Sequence, residues 1–142
     1  MRRILVAIDG SEAALRALDF AVTQAKLSPE AELHVLTVQP LPSTYTAWEI
    51  YVSAEKIREI ATARAREILD AAAARLKGSG CRHQLEKLEG DPPETIARRA
   101  AELGCESITM GTRGAGQISV LVMGSVAQRV VHYARVPVTL VK

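Results

Sequence analysis

Gly111-Thr-Arg-Gly114, with nine residues separating it from Gly124-Ser125, brings together residue types suited to holding phosphate. Glycine lets the backbone come close to an anion and take φ > 0 where a turn needs it. A helix start beyond such a loop offers unpaired N–H groups and the positive end of its dipole. Ser125 adds a hydroxyl at that entrance, and the Arg113 guanidinium matches phosphate geometry. The bland reading is turn chemistry between a strand and a helix, with Ser125 as a plain cap. Capping and phosphate binding draw on the same N–H groups, so the two readings can hold in different ligand states. The spacing is not G-x-x-x-x-G-K-[ST], because no lysine lies between Gly111 and Ser125. Ser119 occupies the third glycine position after Gly114-Ala-Gly116, so the chain also lacks a dinucleotide fingerprint.

The elements around this loop alternate. Ile4 to Ile8 is a continuous apolar run, the mark of a strand covered on both faces. Asp9 or Ser11 caps the helix carrying Leu15, Leu18 and Val22. Leu33 to Val38 reads as a second strand, stopped by Pro40 and Pro42. A long helix follows, with Ile57, Ile60, Ala61, Ile68, Ala72 and Leu76 at helical steps and Gly78 and Gly80 at its end. His83 to Leu88 alternates weakly and reads as a poorly covered third strand. Asp91, Pro92 and Glu94 read as a capping box with proline at the first helical position. Ile96, Ala100 and Leu103 form that helix's apolar stripe. Ser107 to Met110 is a fourth strand, Val126 to Ala134 a helix, and Pro137 to Val141 a last strand whose proline suits an edge.

Five strands alternating with helices predict an α/β fold over residues 1–142: a single-domain, open, parallel five-stranded sheet with helices on both faces. In the order 3-2-1-4-5 the direction of winding reverses between strands one and four. Ligands of such sheets bind beyond the carboxyl ends of the strands at that reversal. Asp9, after strand one, and Gly111, after strand four, would then face one crevice.

Composition narrows the class. At 142 residues with 48% hydrophobic content the chain is long enough to bury a core. Eighteen basic and sixteen acidic residues are interspersed, so no stripe for nucleic acid is visible. No apolar run approaches a membrane span. Cys81 and Cys105 lack metal or disulfide spacing and read as reduced thiols, which with the absence of a leader pattern points to the cytoplasm. His34, His83 and His132 lack metal-site spacing. Tyr45, Trp48 and Tyr51 cluster in one loop, as packing, a lid or a dimer contact. Ile118 and Val120 to Met123 form an apolar stretch expected to be buried under the domain or against a partner.

Taken together, Ile4-Leu-Val-Ala-Ile-Asp-Gly-Ser11, Gly90-Asp-Pro-Pro-Glu-Thr-Ile96, Gly111-x-x-Gly114-x9-Gly124-Ser125 and Val136-Pro-Val-Thr-Leu-Val141 resemble the universal stress protein family, in its ATP-binding branch. The resemblance covers nearly the whole chain. It implies an adenine-nucleotide-binding protein, often a homodimer, acting in stress adaptation. By position, Asp9 would hold the ribose or adenine side, and main-chain groups at Ile8 and Val38 would meet the base. Gly111, Arg113, Gly114, Gly124, Ser125 and Val126 would surround the phosphates of ATP or another adenine nucleotide, with Mg2+ as a companion ion. The dimer would pair the last strands, Val136 to Val141. The fourth strand departs from the family's aliphatic pattern at Ser107 and Thr109, and residues 115–119 carry no basic side chain.

Three functions follow: a sensing or regulatory nucleotide-binding module, a slow ATP hydrolase or nucleotide-dependent transferase, and a dimeric interaction protein with a structural glycine loop. The missing lysine and the lack of an evident general base in the motif favour holding nucleotide over cleaving it.

Overall fold

Alternate residues of the first strand, β1 (Arg2–Ala7), and of Ile8 beyond it enter two separate cores, one on each face of a sheet. The computed structural model describes residues 2–41, 53–113 and 123–142. Ile4, Val6 and Ile8 pack under α1 (Glu12–Lys26) and α2 (Ala54–Leu76), against Leu18, Ile68 and Leu76. Leu5 and Ala7 pack on the other face, against Ile96 of α3 (Pro92–Glu102) and Val130 of α4 (Ser125–Tyr133). This two-sided burial explains why the run is apolar at every position rather than at every second one. Leu5, Leu18, Leu33 and Leu36 are fully buried, and each such side chain contributes about 1.5–3 kcal/mol.

The remaining strands are β2 (Ala31–Gln39), β3 (Arg82–Glu89), β4 (Ser107–Gly111) and β5 (Val138–Val141). All pairings are parallel, in the order β3-β2-β1-β4-β5. The expected topology and the helices on both faces are therefore found. β1 pairs with β2 from Arg2↔Ala31 to Ala7↔Leu36 and with β4 from Ile4↔Ser107 to Ala7↔Met110. Thr109, one of the two polar departures in β4, is buried beside Val6. Cys81 packs against the α1–α2 core and Cys105 within the α3–α4 core, so the sheet lies between the two free thiols. Burial pushes the Cys105 thiol up to about 11. Among the described residues no helix is long and apolar enough to cross a membrane.

Local signals resolve in different ways. Ser11, not Asp9, caps α1, its hydroxyl accepting the Ala14 N–H at 3.1 Å. The capping box expected at Asp91 does not form. Asp91 is the N-cap of α3 but makes no side-chain cap bond; it accepts instead from Arg129 of α4 at 3.1 Å. Pro92 and Pro93 occupy the first two helical positions and have no N–H to offer, which removes a donor a cap would bind. Gly78, Gly80 and Gly104 do take positive φ after their helices. Of the adjacent Arg98 and Arg99 of α3, only Arg98 is exposed. Arg99 reaches back to Glu86 of β3 at 2.9 Å, and Glu86 also meets buried His34 of β2 at 2.5 Å.

Burial pushes the Glu86 carboxyl up, but hydrogen bonds from Arg99 and His34 outweigh it and hold the group below its ordinary value. A carboxylate held low in the folded state stabilises the fold at pH above its unfolded value. That contribution is lost as pH falls through the folded value. Glu86→Gln is therefore expected to lower stability by about 1–2 kcal/mol at neutral pH. In urea unfolding at stepped pH, the gap to the wild type should close on acidification through and below the ordinary carboxylate range.

Candidate functional site

β1 winds towards β2 on one side, and the chain returns to pair β4 on its other side. The connections leave the carboxyl ends of these strands in opposite directions, and a crevice of about 290 Å³ opens there. Its floor is the strand ends: Ala7 and Ile8, Leu36 and Val38, Met110 and Gly111. The predicted site residues Ile8, Asp9, Val38, Gly111, Arg113, Gly124, Ser125 and Val126 all line it. Gly114 lies outside the described residues, as do Tyr45, Trp48, Tyr51, Ile118 and Val120 to Val122. Met123, the last of that apolar stretch, is half-buried against the α3–α4 core.

Asp9 follows β1 directly. Its Oδ1 accepts the Ser11 N–H at 2.9 Å, which fixes the turn that sends α1 away from the crevice. The Ile8 N–H is committed to the Leu36 carbonyl at 2.9 Å, so Ile8 lines the floor with its donor already used.

The two key glycines owe nothing to left-handed backbone. Neither Gly111 nor Gly124 has positive φ; Gly124 sits at φ −62°, ψ 153°, open to any residue. Gly111 is required by packing. A Cβ there would lie 2.9 Å from the Ala13 Cβ and 3.0 Å from the Ala13 carbonyl carbon, so a side chain would push α1 off β4.

Gly124 is the N-cap of α4, and Ser125, expected as a cap, is the first residue inside the helix. The Gly124 N–H bonds the Thr112 carbonyl at 2.6 Å. The next three N–H groups, of Ser125, Val126 and Ala127, precede the first carbonyl they could reach within the helix. Gly124 has no side chain to cap them, and all three residues line the crevice. The other helices satisfy or lack these donors: Ser11 and Ser53 cap α1 and α2, and α3 begins with two prolines. The charges differ too. α1, α2 and α3 carry Glu12, Glu55 and Glu94 in their first turns, whereas α4 carries no acid there. An acid stabilises a helix start, and its absence at α4 leaves that positive end to whatever enters the crevice. Arg113 stands at the same end of the crevice without a hydrogen bond or ion pair to any described residue.

Several lining residues were not foreseen from sequence, and three of them form the walls. Pro92 and Ile96 of α3 close one wall, and Arg64 of α2 lines the other. Pro92 and Ile96 read from sequence as helix start and core stripe, which they also are. Arg64 sits one turn before Ile68, which packs beside Gly10; only the docking of α2 brings it to the crevice. Asp9 is the only carboxylate among the described lining residues, and no described group of three or more His, Cys, Asp or Glu could hold a metal.

The model of the universal stress protein family matches residues 1–142. The chain belongs to that family. It is 32% identical over 146 residues to the universal stress protein YxiE of Bacillus subtilis, covering 99% of this chain and 98% of that one. The structure of the universal stress protein UspA from Lactobacillus plantarum is similar, with a TM-score of 0.83, 27% identity, and 99% and 97% of the two chains covered. A universal stress protein from Archaeoglobus fulgidus, solved in complex with dAMP, is similar at TM-score 0.70 and 26% identity, covering 100% of this chain and 98% of that one.

Gly111→Ala is expected to destabilise the fold by about 1–3 kcal/mol through overpacking against α1. A lowered urea midpoint would register it; an unchanged midpoint would mean that the β4–α1 contact yields without cost.

Proposed function

We propose that this universal stress protein is a cytoplasmic adenine-nucleotide-binding module, taking ATP or a related nucleotide and acting as a sensor or regulator rather than a catalyst. The observation that carries the reading is the start of α4. Its N–H groups of Ser125 to Ala127 lack a side-chain cap, its first turn lacks an acid, and it opens beside Arg113 into the crevice that Asp9 also lines. That combination suits the phosphates. The apolar strand ends Leu36 and Val38, with Pro40, suit the flat base at the other end. The dAMP complex of the Archaeoglobus fulgidus relative supports an adenine nucleotide as the ligand class.

Rapid phosphoryl transfer needs a positioned nucleophile and concentrated positive charge. The one described lining carboxylate, Asp9, already accepts the Ser11 N–H, and the motif has no lysine. Holding nucleotide is the better match. Magnesium would enter with the nucleotide, held mainly by its phosphates and by water, and Asp9 is the one carboxylate among the described lining residues that could join them. Pairing of Val136 to Val141 across a homodimer belongs to the same proposal, since β5 is an edge strand.

A ligand at a hundred times its Kd raises stability by about 2.7 kcal/mol. Saturating ATP, ADP or AMP is accordingly expected to raise the melting temperature by several degrees, and the absence of a shift with all three would sink the proposal. Gly124→Val is expected to abolish the shift. The Gly124 dihedrals admit any residue, but the position is buried and valine is a poor N-cap, so the unliganded melting temperature and far-UV circular dichroism of the variant are measured alongside to separate loss of ligand from loss of fold.

A further inference from the structure

We propose that Arg64 is a ligand-binding residue that lies against the face of the nucleotide base and raises affinity for base-bearing ligands. The inference rests on the nucleotide reading above and assigns a role that no motif in the sequence suggests. α2 contains four arginines, Arg58, Arg64, Arg66 and Arg75, and only Arg64 lines the crevice. Arg75 is engaged by Asp19 of α1. Arg64, by contrast, makes no hydrogen bond or ion pair with any described residue. Its place on α2 follows from the buried seam. Ile68 packs under the sheet's first turn, beside Gly10, and Arg64 is one helical turn nearer the strands' carboxyl ends.

Two considerations assign the base rather than the phosphates to this guanidinium. The first is distance across the sheet. The anion-attracting groups, Arg113 and the start of α4, follow β4, whereas α2 packs over β2 and β3. β2 and β4 flank β1, so their ends stand about 10 Å apart at the usual strand spacing. With phosphates at β4, the base reaches the β2 end, over Val38 and Pro40. The second is the wall opposite. α2 lies on one face of the sheet, and α3, with Pro92 and Ile96 at the crevice, lies on the other. A planar base entering between them meets apolar surface on one side and Arg64 on the other. A guanidinium is planar and weakly hydrated, so it stacks flat on an aromatic face more favourably than an ammonium, which is a compact and strongly hydrated point charge.

The experiment is a calorimetric titration of the intact protein with AMP and ATP, and with tripolyphosphate as a base-free probe, for the wild type and for Arg64→Ala, Arg64→Lys and Arg113→Ala. Arg64→Ala is expected to weaken AMP and ATP by the same factor, about tenfold, and to leave tripolyphosphate unchanged. Arg64→Lys should restore only part of the loss, because an ammonium keeps the charge but not the planar, weakly hydrated face. Arg113→Ala should show the opposite pattern, with a loss that grows from AMP to ATP and extends to tripolyphosphate. Equal melting temperatures of the unliganded Arg64 variants and the wild type would exclude a folding defect. Unchanged nucleotide affinity in Arg64→Ala would overturn the inference. So would a loss that grows with phosphate number or is fully repaired by lysine, either of which would make Arg64 a phosphate contact. A wild type that binds no nucleotide would overturn the nucleotide reading itself, and this inference with it.

Discussion

β1 is buried on both faces and paired along both edges, and the rest of the molecule is arranged around that constraint. A strand in this position cannot spare a polar side chain from Ile4 to Ile8, and it does not. Helices must then cover both faces, which they do as α1 with α2 and α3 with α4. Parallel neighbours on both edges require the chain to wind outward in two directions from β1. The connections part at the carboxyl ends of β1 and β4, and the crevice is the gap they leave. The site is thus a consequence of topology before any side chain lines it.

What distinguishes one side of that gap is how the helix starts are satisfied. α1 and α2 have serine caps and first-turn acids, and α3 begins with prolines and an acid. α4 begins with glycine, has no acid in its first turn, and faces the crevice. Local stability would be slightly better served by a side-chain cap, since glycine at the N-cap forgoes only about a few tenths of a kcal/mol. Neutral and uncapped donors beside Arg113 are the arrangement an anion can complete. Further out, Arg129 of α4 clasps Asp91 at the start of α3. That ion pair ties together the two helices forming the wall that holds Pro92, Ile96 and Ser125.

Much of this was legible in the sequence because it depends on periodicity and on local backbone preference. The apolar run at Ile4 to Ile8 and the helical spacing from Ile57 to Leu76 identify their elements without reference to partners. The alternation of strands and helices then restricts the topology to a few choices. Where the reading differed from the structure, a neighbour distant in sequence intervened. Asp91 has the residue type and spacing of a capping-box cap, yet Arg129, 38 residues on, takes its carboxylate. Arg99 carries the charge of a solvated helix face, yet Glu86 of β3 draws it in. Gly111 reads as a flexible turn residue, yet the backbone of α1, nearly a hundred residues earlier, is what forbids it a side chain.

By itself the sequence determined the elements, their parallel order, the membership of the glycine loop in a strand–loop–helix unit and the family to which the chain belongs. Each follows from residue type and spacing along the chain, which sterics and hydrogen-bonding geometry translate directly into local structure. Only the tertiary structure decided which residues share the crevice, why Gly111 must be glycine, and that Arg64 of α2 joins Asp9 and Ser125 around one space. Those facts depend on how helices dock across the sheet. Docking is set by the summed shape of two buried cores, and no short stretch of sequence carries that sum.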